Sequence, residues 1–224
     1  MSILGRKSKH LQIAFNRTID EVSHMVGLLP ASDKLVIEAG TPLVWRYGSE
    51  GIAKLNAWWA QKLGKPGYVV ADLKTMDRGM REVETAARAG ASAATCLGLA
   101  PVETISEFVK NCAAQKIDSM VDMMNVPFPF EVLQKLKKLP DIVVLHRGVD
   151  ERLRNREKQI PLDQITRIRG AYGNVLISVA GGETTREVVS DFFNGADIAV
   201  VWQTFYEKPE ETASLAMDFL KLIK

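Results

Sequence analysis

The apolar run Val69-Val70-Ala71 ends in Asp72, Lys74 and Asp77, an Asp-x-Lys-x-x-Asp spacing in which two carboxylates bracket an ammonium. A strand buried on both faces would not tolerate these charges in its interior, so they belong at its mouth. On an extended backbone, residues two apart share a side, which puts Asp72 with Lys74 and leaves Asp77 on the loop beyond. An ammonium held between carboxylates keeps its proton and can stabilise an anion forming beside it, which suits a carbanion or enolate-like intermediate. Spacing alone fits a plain ion pair at a strand end equally well.

Other polar residues follow similar apolar runs. They are Asn16, Glu38 with Gly40-Thr41-Pro42, Asp122 with Asn125, His146 with Arg147 and Asp150, and the pair Gly181-Gly182. Three carboxylates on one rim repel each other unless cations sit among them; Lys74 is one such cation and a hard divalent ion such as Mg²⁺ would be another. His146 is the only histidine expected at a strand end, with His10 and His24 falling in an N-terminal arm and a first helix. Gly181-Gly182, ahead of Glu183-Thr184-Thr185, could offer backbone N–H groups to a phosphate or could be an ordinary turn. Neither a Gly-x-Ser-x-Gly elbow nor a His-Glu-x-x-His pair is present. Met120, Met123, Met124 and Trp58-Trp59 read as core or subunit contact.

Apolar β-rich runs alternate with segments of helical period. Strands are predicted at 11–15, 35–39, 68–72, 93–97, 119–122, 142–145, 175–180 and 198–202, and helices at 19–28, 48–63, 80–89, 102–115, 129–137, 162–171, 185–194 and 209–223. Eight β–α repeats within 224 residues predict an α/β fold, a (β/α)8 TIM barrel forming a single domain over 1–224. In such a barrel the catalytic groups gather at the C-terminal strand ends, where the polar residues above fall. An open doubly wound sheet would more often show a glycine-rich turn after its first strand, and Asn16-Arg17-Thr18 stands there instead.

A formal charge of +2, with no basic tract interleaved with aromatics, argues against nucleic acid. The run from Glu151 to Lys158 mixes both signs and reads as a solvated loop or helix. Cys96 and Cys112 lack metal-ligand spacing and read as reduced, buried thiols of a cytoplasmic protein. Despite Arg6, Lys7 and Lys9, no apolar run is long enough for a signal peptide or a membrane span.

Leu11-Gln12-Ile13-Ala14-Phe15-Asn16, Ile37-Glu38-Ala39-Gly40-Thr41-Pro42, Asp72-Leu73-Lys74-Thr75-Met76-Asp77, Val121-Asp122-Met123, His146-Arg147-Gly148-Val149-Asp150 and Ala180-Gly181-Gly182 form an ordered set. The set resembles that of hexulose-6-phosphate synthases, (β/α)8 barrels of the orotidine-phosphate decarboxylase superfamily. The likeness spans nearly the whole chain. Around 72–79, 120–126, 146–150 and 200–206 it is similar to the synthase half of archaeal enzymes fused to a formaldehyde-activating domain, a domain not expected in this chain.

The resemblance implies a Mg²⁺-dependent (or Mn²⁺-dependent) aldol reaction joining formaldehyde to D-ribulose 5-phosphate, or its reverse. It implies that Glu38 and Asp72 hold the metal, that Lys74 helps stabilise a 1,2-enediolate, that His146 moves the proton and that Asp122 belongs to the same polar set. Asn16, Thr41, Gly181, Gly182 and Gln203 would meet substrate. It also implies a homodimer with shared active sites, in which Asp77 reaches the neighbouring subunit's site. The chain departs from the family pattern twice: Asn16 stands where an aspartate is usual, and Trp202-Gln203 where many members place Gly-Arg against the phosphate. Archaeal fused enzymes resemble this chain in having tryptophan there, and phosphate binding would then rest mainly on Gly181-Gly182. Two other readings stay open. One is orotidine-phosphate decarboxylation, which shares Asp-x-Lys-x-x-Asp but needs no metal; the other is a sugar-phosphate-binding paralogue without turnover, for which Asn16 speaks.

Overall fold

The structure is a computed structural model that describes residues 2–5, 8–155, 157, 159–182 and 184–223. The expectations placed on Arg6, Lys7, Arg156, Lys158 and Glu183 lie outside the described residues. Eight strands form: β1 (His10–Phe15), β2 (Leu35–Ala39), β3 (Val69–Thr75), β4 (Ala93–Leu97), β5 (Asp118–Asp122), β6 (Ile142–His146), β7 (Leu176–Ala180) and β8 (Ile198–Val201). All pair in parallel in chain order, and β8 closes onto β1 with Ile198 opposite His10. This is the expected (β/α)8 barrel.

A strand with the barrel interior on one side and helices on the other must bury both faces, and every residue of β1, β2, β5, β7 and β8 is buried. Alternation sorts the side chains. Leu11, Ile13 and Phe15 face the helical shell with Val22, Met25, Leu43 and Trp59, while Ala14, Val36, Val70, Met120, Ile142 and Val200 fill the interior. Trp59 and Phe108 are fully buried in that shell, where truncation to alanine costs about 3–5 kcal/mol. The barrel floor is closed by the N-terminal segment. Leu4 packs into the interior cluster, and Asp118 accepts hydrogen bonds from Ser2 Oγ (2.7 Å), Ile3 N (2.9 Å) and Tyr68 Oη (2.6 Å).

The helices are α1 (Ile19–Leu28), α2 (Thr41–Leu63), α3 (Gly79–Arg88), α4 (Val102–Gln115), α5 (Pro129–Gln134), α6 (Val149–Arg154), α7 (Asp163–Ala171), α8 (Thr185–Phe193), α9 (Gln203–Glu207) and α10 (Thr212–Leu222). Capping boxes start two of them, Thr18 with Glu21 and Thr184 with Glu187, each satisfying N–H groups that a bare helix start leaves unpaired. No described helix is long and apolar enough to cross a membrane. Cys96 and Cys112 are buried free thiols as expected, and burial pushes Cys96 up to about 12, far from a reactive thiolate.

The structure departs from expectation at the rim. Strand β3 runs on through Lys74 to Thr75, across a register shift against β4 between Ala71 and Thr75. Helix α2 starts at Thr41 rather than 48, its first two turns set off from the rest by a non-helical Gly48. Helix α9 was not expected, because five residues are too few to display a helical period, and α6 takes up the start of the run read as a solvated loop or helix. His10 opens β1 instead of lying in an arm.

Candidate active site

At the C-terminal mouth of the barrel lies a cavity of about 380 Å³, within the range of small-molecule sites. The strand ends deliver its polar wall. Alternation points Gln12 and Glu38 inward from β1 and β2, Asp72 from β3, Thr95 from β4, Asp122 from β5 and His146 from β6, and all six line the cavity. Glu38, Asp72 and Asp122 are almost fully buried.

The charges are linked in a chain. Lys74 Nζ lies 2.9 Å from Asp72 Oδ2 and 3.2 Å from Asp122 Oδ2, and the same Asp122 oxygen lies 2.8 Å from His146 Nδ1. Asp72 also accepts from Thr41 Oγ1 (2.6 Å) and Thr95 Oγ1 (2.8 Å), and Asp122 Oδ1 accepts from Met124 N (2.9 Å). With Nδ1 engaged by Asp122, His146 has only Nε2 left for substrate. Lys74 itself has φ 47°, the left-handed region that a side chain disfavours. Its N–H donates to Thr95 Oγ1 (3.0 Å), one of the tertiary bonds that hold this strained turn in place.

Burial raises the energy of each charge, and neighbours decide which survives. Burial, then the charge of Asp72, pushes Glu38 up to about 7. Burial alone would raise Asp122 too, but His146 and Lys74 outweigh it and hold Asp122 at about 2. Burial works against protonated Lys74 and His146. Asp72 and Asp122 overcome it at Lys74 and Asp122 overcomes it at His146, so both have raised pKa values.

Among the described residues no group of three or more His, Cys, Asp or Glu side chains is arranged to hold a metal. The donor set still fits a Mg²⁺-like ion, which keeps most of its waters and needs only one or two protein carboxylates. Glu38, pushed up by burial and Asp72, is a carboxylate that a cation would draw back down. Beside it Gln12 donates from Nε2 to Glu38 and leaves Oε1 buried with no partner. Asp72 is more committed, its oxygens already accepting from Thr41, Thr95 and Lys74.

Asn16 lines the cavity from the end of β1, its N–H donating to Tyr206 Oη (2.9 Å). Its amide oxygen rests on Gly40, where a Cβ would stand 2.0 Å away; only glycine allows this approach. Gly181 also lines the cavity, at φ 115° and so close to Arg147 that a Cβ would meet its carbonyl oxygen at 2.7 Å. Gly182 sits behind it, against Glu187 and Asp191.

A family model described as Orotidine 5'-phosphate decarboxylase / HUMPS family matches residues 9–215. The chain belongs to that family. It is 39% identical to the "Bifunctional enzyme Fae/Hps" of Methanocella arvoryzae, over 86% of this chain and 48% of that protein. It is 38% identical to the enzyme of the same name from Methanothrix thermoacetophila, over 96% of this chain and 53% of that one. The chain thus spans about half the length of these curated relatives. The solved 3-hexulose-6-phosphate synthase from Salmonella typhimurium superposes with a TM-score of 0.81 at 25% identity, covering 95% of this chain and 97% of the other.

Not every residue that the family resemblance singled out is in the cavity. Asp77 is exposed on the loop after β3, its Oδ1 accepting from Arg78 N (2.8 Å), and lies beside a shallow outer depression with Arg81 and Glu107. Gln203 opens α9, behind Trp202, which does line the cavity. Conversely, sequence reasoning missed Gln12, Thr95, Trp45 and Arg152. A polar residue inside a doubly buried strand could have revealed Gln12 and Thr95. Arg152 lay in the charged run read as solvated, whereas it reaches the cavity wall from α6.

Proposed function

We propose that this family member catalyses the reversible aldol condensation of formaldehyde with D-ribulose 5-phosphate to D-arabino-hex-3-ulose 6-phosphate. The observation that carries this reading is the Asp72–Lys74–Asp122–His146 chain at the cavity wall. The names of the relatives agree with it.

In the forward direction, neutral His146 takes a proton from C1 of ribulose 5-phosphate through Nε2, and Asp122 on Nδ1 steadies the imidazolium that results. Lys74 holds positive charge beside the developing enediolate. The C1 carbanion forms a bond to the formaldehyde carbon, and the new alkoxide takes the proton back from His146. Atoms and protons balance without any redox step. Glu38 and Asp72 would hold a Mg²⁺ or Mn²⁺ ion, which when bound supplies Lewis-acid polarisation of substrate oxygens. Asn16 and Thr41 stand where they can orient hydroxyl groups. Asp77, pointing away from its own cavity, suits a homodimer in which it serves the partner's site. Exposed Met76, Leu99 and Phe128, on the loops after β3, β4 and β5, and Met80 in the first turn of α3 supply apolar surface for such contact.

The test is product formation from ribulose 5-phosphate and formaldehyde, with Mg²⁺ and after exhaustive chelation. Turnover that chelation abolishes and Mg²⁺ restores is expected; undiminished turnover without metal overturns the metal assignment. Decarboxylation of orotidine 5'-phosphate in place of aldol turnover overturns the reading itself.

A further inference from the structure

Gln12 faces the cavity from β1, a strand buried along its whole length, and is itself only 3% exposed. An amide is out of place there unless both of its ends are served. Only one is: Nε2 donates to Glu38 Oε2, while Oε1 is buried with no partner. Thr95, the inward hydroxyl of β4, is by contrast fully employed, donating to Asp72 Oδ1 (2.8 Å) and accepting from Lys74 N (3.0 Å). An ionised carboxylate accepts and cannot donate, so the amide of Gln12 must turn its nitrogen to Glu38 and leave its oxygen stranded. An apolar side chain of similar volume would fill the same space without that cost, so glutamine serves the bond to Glu38 rather than the fold. Glu38 depends on that bond. Among the described residues, Gln12 Nε2 is the one hydrogen-bond donor to its side chain. Asp72 is held by Thr41, Thr95 and Lys74, and Asp122 by Lys74, His146 and the Met124 N–H.

We propose that Gln12 is a positioning residue for Glu38: it holds the carboxylate at one oxygen with a neutral donor and leaves its negative charge to a divalent cation. This rests on the assignment of Glu38 to the metal in the proposed reaction, and names what orients that ligand. A glutamate side chain has three rotatable bonds, and fixing it before the ion arrives removes an entropic cost from binding. The chemistry of the donor matters as much as its place. Lysine or arginine at 12 would fix Glu38 too, but its charge would compete with the ion for the same carboxylate. A neutral amide orients without competing. Hydrogen bonds of this kind, from a neighbour to a ligating carboxylate, are what keep a metal ligand in its working geometry.

The test is calorimetric titration of the full chain with Mn²⁺ alone, so that no turnover is required, with metal-free melting temperatures as the check on folding. Gln12→Met, similar in size but without a donor, is expected to weaken Mn²⁺ binding about 10- to 100-fold, the usual cost of losing such a partner. Gln12→Asn, which keeps the amide but draws it back by one methylene, should lose most of that affinity as well, and serves if the methionine variant does not fold. In a Glu38→Gln background, where Mn²⁺ rests on Asp72 alone, adding Gln12→Met should change the remaining affinity little. A merely structural glutamine would shift the melting temperature without this dependence on Glu38. Parental Mn²⁺ affinity in the folded variants overturns the proposal and leaves the metal assignment standing. A loss confined to ribulose 5-phosphate binding overturns it too, making Gln12 a substrate contact. An equal loss with and without Glu38 shows that Gln12 does not act through that carboxylate. A parent that takes up no Mn²⁺ overturns the metal assignment and the proposal together.

Discussion

The cavity mouth has two unlike halves. From β2 to β5 the wall is made of buried carboxylates: Asp72 and Asp122 are tied to Lys74 and His146 by bonds of about 3 Å, and Glu38 is held by Gln12. From β6 to β8 it is made of half-buried Arg147 and Arg152, the Gly181 backbone and Trp202 on short rim helices and turns. In the first half Asp122 keeps its charge under burial because His146 and Lys74 stand beside it, whereas Glu38, without a cationic partner in contact, is pushed up to about 7. In the second half the two arginines are only half-buried, so their charges depend less on any one neighbour. In the proposed reaction the first half would face the reacting carbons and the second the substrate's phosphate.

Replacing the proton carrier should separate the halves most sharply. His146→Gln should lower kcat by about 10²–10⁴-fold, the span of general-base catalysis, while ribulose 5-phosphate still binds. Stopped turnover with binding lost as well would mean that the halves are not independent. Lys74→Ala comes next, with kcat expected to fall at least ~10²-fold, as when an oxyanion donor is removed. Near-parental kcat would return Lys74 to the role of an ion pair.

A smaller effect is expected from pH. Burial works against protonated His146, but Asp122 outweighs it and raises the pKa of His146 above 6.5, and in the proposed reaction the base form would accept the C1 proton. Activity should therefore climb as pH rises through that raised value. Asp122→Asn removes the stabilising anion, so the inflection in the kcat–pH profile should move to lower pH, with a lower plateau. An inflection that does not move would uncouple Asp122 from His146.

The smallest effect is predicted for Asn16→Asp, which adds a fourth carboxylate to the acidic half. Without metal, like-charge repulsion should lower the melting temperature by a few degrees, the shift expected for about 1 kcal/mol. An unchanged or higher value would refute the charge argument. Turnover in the same variant separates two roles: little change fits a residue that only orients hydroxyls, and a marked gain fits a lost base.

The acidic half was largely legible in the sequence and the other half was not. Glu38 and Asp72 each follow an apolar run of the kind a buried strand carries, and Asp122 closes a third predicted strand, so their convergence followed once the strands were placed. The turn at Lys74 could not be read, because local preference opposes φ 47° and contacts distant in sequence, such as that with Thr95, hold it. Arg152 escaped for a different reason. A mixed-charge run of a few residues looks solvated, and only closure of the barrel, which brings α6 beside α9, shows what it faces.

With Leu4 packed against the interior cluster, the cavity among the described residues opens at the C-terminal mouth of the barrel. In the proposed reaction both reactants would arrive, and the product would leave, through that mouth, where exposed Trp45 stands. If the larger guest is gripped near that opening by its phosphate, it narrows the passage for the smaller aldehyde. Traffic rather than chemistry would then set the order of events, and excess ribulose 5-phosphate should slow the entry of formaldehyde under initial-rate conditions.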